Sequence, residues 1–412
     1  RILDLKFRLG LFQNPYTDPA DFPPLLDGDA LETARRAALQ SIVLLLNRDG
    51  ALPWSSERLR SIAVIGPLAD APHEQLGTWT FDGVATDAVT PLQALRTLLD
   101  GATEIRHVRA MAYSRSRVGP EFDDAVAAAR DTDATIVFLG EEAILSGEAH
   151  SRADIGLPGD QAELVRRLRQ AGKPLVAVIM AGRPLTLTDI VDEVDALLFA
   201  WHPGTMGGPA IADLLFGHVS PSGKLPATFP RMVGQVPIYY SQKNTGKPPT
   251  PDQVVHIDAI DPHAPQTSLG MTAFHLDAGY RPLFPFGFGL SYADFHYSDI
   301  RLDADEVRLG ETVGVSIQLA NHGAVAAEEV VQLYVRDLVG SVTRPVRELK
   351  GFRRVRVGPG ESVRVKFDLH TEQLAFFGRG LRRATEPGEF HAWIGGNSDA
   401  DLGVSFRVLG AD

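Results

Sequence analysis

The chain has 412 residues, 44% hydrophobic and 22% charged, with a formal net charge of −12 and no cysteine. That is the make-up of a globular protein with room for two or three domains, and its acidity argues against a nucleic-acid partner, which usually requires a basic stripe. Disulfides, thiolate metal sites and a cysteine nucleophile are excluded together, and no apolar run is long enough for a membrane-spanning helix.

In chain order, Ile2, Leu5, Leu9 and Phe12 recur at helical spacing, with Gly10 near the end. This predicts a helix that begins at Arg1 as the tail of something larger. Residues 13–28 carry linker chemistry in Asn14-Pro15-Tyr16, Asp18-Pro19 and Phe22-Pro23-Pro24. A helix follows from about Asp29 through Ala34, Ala37, Ala38 and Ile42, and then a strand over Val43–Asn47. From Ile62 the pattern repeats as strand, loop, helix. Buried strands are expected at 62–66, 134–140, 174–180 and 196–201, with a further strand at 105–108. Helices are expected at Phe122–Ala129, Gly159–Ala171 and Ala210–Phe216, and one opening at Thr90 as N-cap with Pro91 in the first turn. Such alternation implies a mainly parallel sheet covered on both faces. Right-handed crossovers then bring the loops after its strands to one edge.

Residues 217–290 hold many Pro, Gly and polar residues and little periodicity. From about 295 the period becomes two: Val313, Val315, Ile317 and Leu319 alternate with polar residues, as do Val331, Leu333 and Val335, and Val363, Val365 and Phe367. Turn clusters such as Gly358-Pro359-Gly360 separate these runs. They predict an all-β sandwich of roughly 110 residues.

Two phosphate-binding patterns fail. Gly217 to Lys224 has the wrong glycine spacing, and Leu225 stands where a Ser or Thr is needed. Gly204-Thr205-Met206-Gly207-Gly208 is not Gly-x-Gly-x-x-Gly and has no acid placed for a ribose. The twelve His are scattered, with no spacing that marks a metal site. There remains the loop 141–157 at the end of the strand 134–140, with Glu141, Glu142, Glu148, Asp154, His150 and Arg152. Any one of these acids could be a solvated group or a cap, and Asp154 could simply pair with Arg152. Yet a carboxylate-rich loop at the strand ends, with Trp79 and Trp201 in neighbouring loops, suits a sugar site. There flat apolar faces stack on pyranose rings and carboxylates handle hydroxyls and the glycosidic oxygen.

Several stretches together resemble the C-terminal portion of a glycoside hydrolase family 3 β-glucosidase. Lys6-Phe7-Arg8-Leu9-Gly10-Leu11-Phe12 resembles the end of that family's catalytic barrel. Its α/β sandwich domain is resembled by Ile65-Gly66-Pro67, Leu76-Gly77-Thr78-Trp79, Val89-Thr90-Pro91-Leu92, Ser151-Arg152-Ala153-Asp154-Ile155, Leu157-Pro158-Gly159-Asp160-Gln161 and the run 207–217. The most specific run is Pro221-Ser222-Gly223-Lys224-Leu225-Pro226 through Phe229-Pro230. Pro285-Phe286-Gly287-Phe288-Gly289-Leu290-Ser291-Tyr292 leads on to Arg344-Pro345 and Glu348-Leu349-Lys350-Gly351-Phe352, which match a fibronectin type III-like domain.

The resemblance implies an α/β fold, a mainly parallel-sheet α/β sandwich followed by an all-β fibronectin type III-like sandwich. The expected divisions are 1–28 (barrel end and linker), 29–230 (α/β sandwich), 231–292 (irregular linker) and 293–412 (β-sandwich). It implies retaining, exo-acting hydrolysis of terminal β-glucosyl residues, with Glu148 as general acid/base. Trp79, Glu141 and Arg152 are the expected substrate-binding residues, Glu141 and Glu142 the runners-up for the acid. The nucleophile of the resembling enzymes is an Asp in the barrel. No Asp here has its context, Asp299 falling in a β-segment, so the chain alone is expected to be inactive. The expected partners are a β-glucoside or oligosaccharide and the barrel, in the same chain or another, with a homodimer as an allowed assembly. No metal, cofactor, nucleic acid or membrane is expected. The expected location is periplasmic or extracellular. A β-xylosidase of the same family, a non-catalytic carbohydrate-binding module and an assembly subunit are the alternatives.

Overall fold

The structure, a computed structural model, describes residues 1–21 and 26–410. The linker expected at Phe22-Pro23-Pro24 lies outside the described residues.

Helix α1 (Ile2–Arg8) is shorter than the spacing suggested, and its apolar side chains find no cover. Ile2, Leu5, Phe7 and Phe12 are each more than half exposed. Helix α2 (Gly28–Ser41), capped by Asp27, leads into β1 (Val43–Asn47). Then follow β2 (Ser61–Ile65), α3 (Pro72–Leu76), α4 (Pro91–Leu99), β3 (Glu104–Val108), α5 (Glu121–Arg130), β4 (Ala134–Gly140), α6 (Gln161–Arg169), β5 (Leu175–Met180), α7 (Thr188–Val191), β6 (Ala196–Phe199) and α8 (Gly207–Leu215). At α4 the predicted cap forms as a full capping box: Gln93 N–H donates to Thr90 Oγ1 at 3.3 Å, and Thr90 N–H donates to Gln93 Oε1 at 3.1 Å.

The six strands order as β1-β6-β5-β4-β2-β3. All neighbours pair in parallel except β1, which runs antiparallel to β6 at the edge. An apolar run carries no information about strand direction, and an edge strand needs no crossover helix to be antiparallel. Every residue of β4 is buried. Ile136 and Phe138 pack with Leu92, Leu95, Ile211 and Leu215 on one face. Val137 and Leu139 pack with Phe122, Leu164, Leu168 and Ile190 on the other. Burial on both faces is why the strand is a continuous apolar run. Each of these four side chains contributes about 1.5–3 kcal/mol of burial. Gly140 ends the strand at φ 137°, where a Cβ would fall 1.8 Å from the carbonyl oxygen of Met180, so no other residue fits the exit of the chain into the next loop.

Beyond α8 the chain makes a long excursion and returns. Phe229 and Phe284 pair, with Phe229 N–H donating to Phe284 O at 2.9 Å and Leu283 N–H to Phe229 O at 2.8 Å. Leu290 N–H then donates to Leu44 O at 2.8 Å, along the outer edge of β1. Strands β7 (Phe295–Leu302), β8 (Glu306–Arg308), β9 (Thr312–Asn321), β10 (Ala327–Asp337), β11 (Glu348–Val357), β12 (Ser362–His370), β13 (Phe376–Phe377), β14 (Arg383–Ala384), β15 (Gly388–Gly395) and β16 (Gly403–Leu409) follow. A five-stranded sheet, β11-β10-β15-β16-β8, and a three-stranded one, β12-β9-β7, share one core, and β13 and β14 form a separate ribbon. Val313, Val315, Ile317 and Leu319 line that core with Val331, Leu333, Val335, Val365 and Phe367, as the alternation predicts. Val363 is only partly buried at its margin. Lys224 ties the two regions together: its Nζ lies 2.8 Å from Gly289 O and 2.9 Å from Glu329 Oε1, and Tyr297 Oη donates to the same Glu329 oxygen at 2.8 Å.

Candidate active site

The loop 141–157 leaves the carboxyl end of β4 and is gripped by the loops that leave β2, β5 and β6. From the β2 side, Thr78 Oγ1 donates to Ser146 O at 2.9 Å and also contacts Ala143 O. Glu74 accepts from Ala143 N–H at 2.5 Å. From the β6 side, His202 Nε2 lies 3.3 Å from Ser146 Oγ. Burial holds the His202 imidazole below its ordinary pKa, with weaker opposing help from the Glu74 backbone and the charges of Glu141 and Glu74. From the β5 side comes Arg183.

Glu141 is fully buried beneath the loop. Its Oε1 accepts from Arg152 Nη1 at 2.6 Å and its Oε2 from Arg183 Nε at 3.1 Å. Both oxygens are therefore engaged by protein, and the structure gives the two expected substrate binders, Glu141 and Arg152, to each other. Arg152 also donates to Gly156 O at 3.0 Å. The plain alternative for Asp154, a pair with Arg152, does not form; Asp154 instead accepts from Gly156 N–H at 2.9 Å. Glu142 is held by Arg115 through two hydrogen bonds of 3.0 Å and by Ser114 Oγ at 2.6 Å. The Arg115 guanidinium keeps this carboxyl below the usual range. An acid so held is a poor proton donor at neutral pH.

Glu148 differs from its neighbours. It is exposed at the crest of the loop, and no hydrogen bond or ion pair among the described residues engages its carboxylate. It follows Gly147, at φ 116°, and precedes Ala149, at φ 63°, so the crest is a tight bend. Trp79, next to the latching Thr78, is 59% exposed and meets Phe81 edge-on with 6.1 Å between ring centroids. Phe81 is itself exposed. Trp201, the other aromatic read as a sugar platform, packs at 4.7 Å on Phe199 and 6.0 Å on Phe229. It is half-buried at the margin of the core, packed against the cluster that holds Phe199 and Phe229. Asp299 lies on β7, its Oδ2 2.7 Å from Arg301 and 2.5 Å from Arg364.

Sequence reasoning missed Arg183, Thr78 and Gln161. Gln161 is fully buried and stitches the end of β4: Gly140 N–H donates to its Oε1 at 2.8 Å, and its Nε2 donates to Gly140 O at 2.8 Å, Ser114 O at 3.0 Å and Pro158 O at 3.0 Å. An Arg directly after the apolar run of β5, beside a loop rich in acids, was the available signal for Arg183.

Comparison with known proteins shows what the chain as a whole is similar to. Residues 42–292 match the glycosyl hydrolase family 3 C-terminal domain, and residues 329–398 a fibronectin type III-like domain. The periplasmic β-glucosidase of Salmonella typhimurium is 36% identical over 99% of this chain and 54% of its own length. A β-xylosidase of Formosa agariphila is 34% identical over 97% of this chain and 53% of its own. The crystal structure of a β-glucosidase from Listeria innocua in complex with isofagomine superposes with a TM-score of 0.88 at 34% identity, covering 100% of this chain and 55% of that one. The chain thus spans about half the length of the curated relatives it matches.

Proposed function

The chain belongs to glycosyl hydrolase family 3, as its C-terminal portion, and from that premise we propose that it supplies the general acid/base of a retaining, exo-acting β-glucosidase. The acid is Glu148. The observation that carries this reading is the contrast within one loop: Glu141 and Glu142 are tied up by arginines, whereas Glu148 stands exposed with no partner among the described residues.

Retention requires two carboxyl groups about 5–5.5 Å apart, a nucleophile and an acid/base. The nucleophile is an Asp of the barrel, which in this reading occupies the remaining length of the relatives and covers the apolar face of α1. As that Asp attacks the anomeric carbon, Glu148 gives its proton to the departing glycosidic oxygen. Glu148, now a carboxylate, takes a proton from water as the water attacks the glycosyl-enzyme. Trp79 offers an indole face to the leaving group. The chain by itself lacks the nucleophile and is inactive. The periplasmic relative supports a periplasmic or extracellular location.

The test uses the full-length protein. In Glu148→Ala, hydrolysis of glycosides with poor leaving groups should collapse. Azide should restore turnover of a glucoside with a good leaving group and give a glycosyl azide. Azide rescue of Glu141→Ala instead would transfer the acid role to Glu141. Ordinary turnover of an aryl β-glucoside by the 412-residue chain alone would overturn the two-part site. A β-xyloside preference is the second reading, favoured by the Formosa relative; kcat/KM for aryl β-glucoside against aryl β-xyloside decides between them.

A further inference from the structure

A buried carboxylate is normally expensive, and a hydrophobic residue of similar size is often the more stable choice. Glu141 is fully buried and meets two guanidinium groups, Arg152 and Arg183, whose side chains are 20% and 18% exposed. One partner would suffice to neutralise it. The second gives reach. Arg183 Nε holds Glu141 while its Nη2 donates to His150 O at 2.8 Å and contacts Leu145 O. Leu145 and His150 flank Glu148 on either side, three residues before it and two after. One guanidinium thus closes the ring of backbone that carries the acid, and Arg152 fixes the far end of the loop at Gly156.

That closure matters because the Glu148 carboxylate itself meets no partner among the described residues. Thr78 and His202 hold Ser146 before it, His150 closes a short local turn onto Ser146 O and Gly147 O, and Arg183 ties both flanks to the buried Glu141. The position of the Glu148 side chain is therefore set by its backbone, through a bend with φ 116° at Gly147 and φ 63° at Ala149. Backbone in such regions keeps its shape only where its surroundings hold it.

We propose that Arg183, anchored on buried Glu141, is a positioning residue that sets the reach of the Glu148 carboxyl toward the glycosidic oxygen. This rests on the reading of Glu148 as the acid. Lysine replaces it only in part, because a single ammonium lacks the fork that meets a carboxylate and two carbonyls at once.

The experiment measures kcat/KM of the full-length enzyme on aryl β-glucosides from 2,4-dinitrophenyl to phenyl, for wild type, Arg183→Met, Arg183→Lys and Glu148→Ala. An acid displaced by about 1 Å costs on the order of 100-fold in rate. Arg183→Met should therefore lose about that much on phenyl glucoside, and stay within a few-fold of wild type on the dinitrophenyl substrate, which needs no proton. Its leaving-group dependence should steepen toward that of Glu148→Ala. Arg183→Lys should fall between wild type and Arg183→Met, and it carries the comparison if the Met variant does not fold. An equal loss across all leaving groups, or none, overturns the proposal while a steep Glu148→Ala series leaves the acid in place. A flat Glu148→Ala series would instead show that the acid itself was misassigned.

Discussion

A Cβ added at Gly147 would lie 2.6 Å from Thr78 Cγ2. The residue before Glu148 is therefore pressed against the residue before Trp79, and the two flanks of the proposed leaving-group site are in contact. Gly147→Ala should push them apart. Its φ of 116° is also strained for any residue with a side chain, at roughly 1–3 kcal/mol. The expected result is a loss of kcat of about tenfold or more on poor leaving groups, with a modest fall in thermal midpoint. Unchanged kinetics would show that the crest tolerates displacement.

Trp79 is mostly exposed and makes its ring contact with an exposed Phe81. Little of the fold depends on it. Removing an aromatic wall of this size forfeits about 1–2 kcal/mol of contact with a ligand. Trp79→Ala should raise KM for aryl glycosides several-fold to about thirtyfold, with a thermal midpoint within about 2 °C of wild type, as exposed substitutions generally leave it. A large fall in stability with unchanged KM would make it a folding residue.

Gln161 makes four hydrogen bonds beneath the loop, three of them to carbonyl oxygens. Gln161→Leu keeps the volume and leaves those backbone groups unpaired. Each unsatisfied buried group costs about 1–3 kcal/mol. Partial relaxation should leave a total loss of roughly 2–5 kcal/mol, read from urea unfolding. A loss below about 1 kcal/mol would mean that water enters and replaces the side chain.

Burial lowers the pKa of His202, chiefly by desolvation, from a reference value of 6.5. The folded state thus resists protonation while the unfolded chain takes up a proton near that reference value. Stability contributed by neutral His202 is complete above pH 6.5 and is lost as pH falls toward the lower folded pKa. His107 and His391 shift in the same direction, also through burial. Thermal midpoints should fall as pH drops below 6.5, and His202→Gln should flatten, without abolishing, that slope. An unchanged slope would place the acid sensitivity elsewhere.

What the sequence disclosed and what it hid divide along contact range. The apolar runs of β4 and β5 and the alternation of β9 are properties of adjacent residues, and the fold class follows from them. Glu148 could be singled out because its loop is continuous and its flanking motif is specific. Arg183 and Thr78 act on the loop from partners 42 and 68 residues away in the chain, Glu141 and Ser146, and no local spacing rule encodes contacts across such separations. Whether Trp201 faces outward or packs inward is not legible in sequence, because an aromatic after a strand can do either, and here its ring packs on Phe199 and Phe229. Position directly after β4 already sets Glu141 behind Glu148 as a candidate acid, but its full burial between two arginines is visible only in the fold.

The excursion between Phe229 and Phe284 begins and ends at a paired couple of residues, and most of its residues from Thr245 to Asp277 lie at the surface. Its two ends are thus closed by contacts outside itself. Doubling the length of a loop so closed costs only about 0.6 kcal/mol in chain entropy. This segment is where the protein can accept new sequence, such as a binding peptide or an added module, while β1, the acid loop and the β-sandwich keep their places.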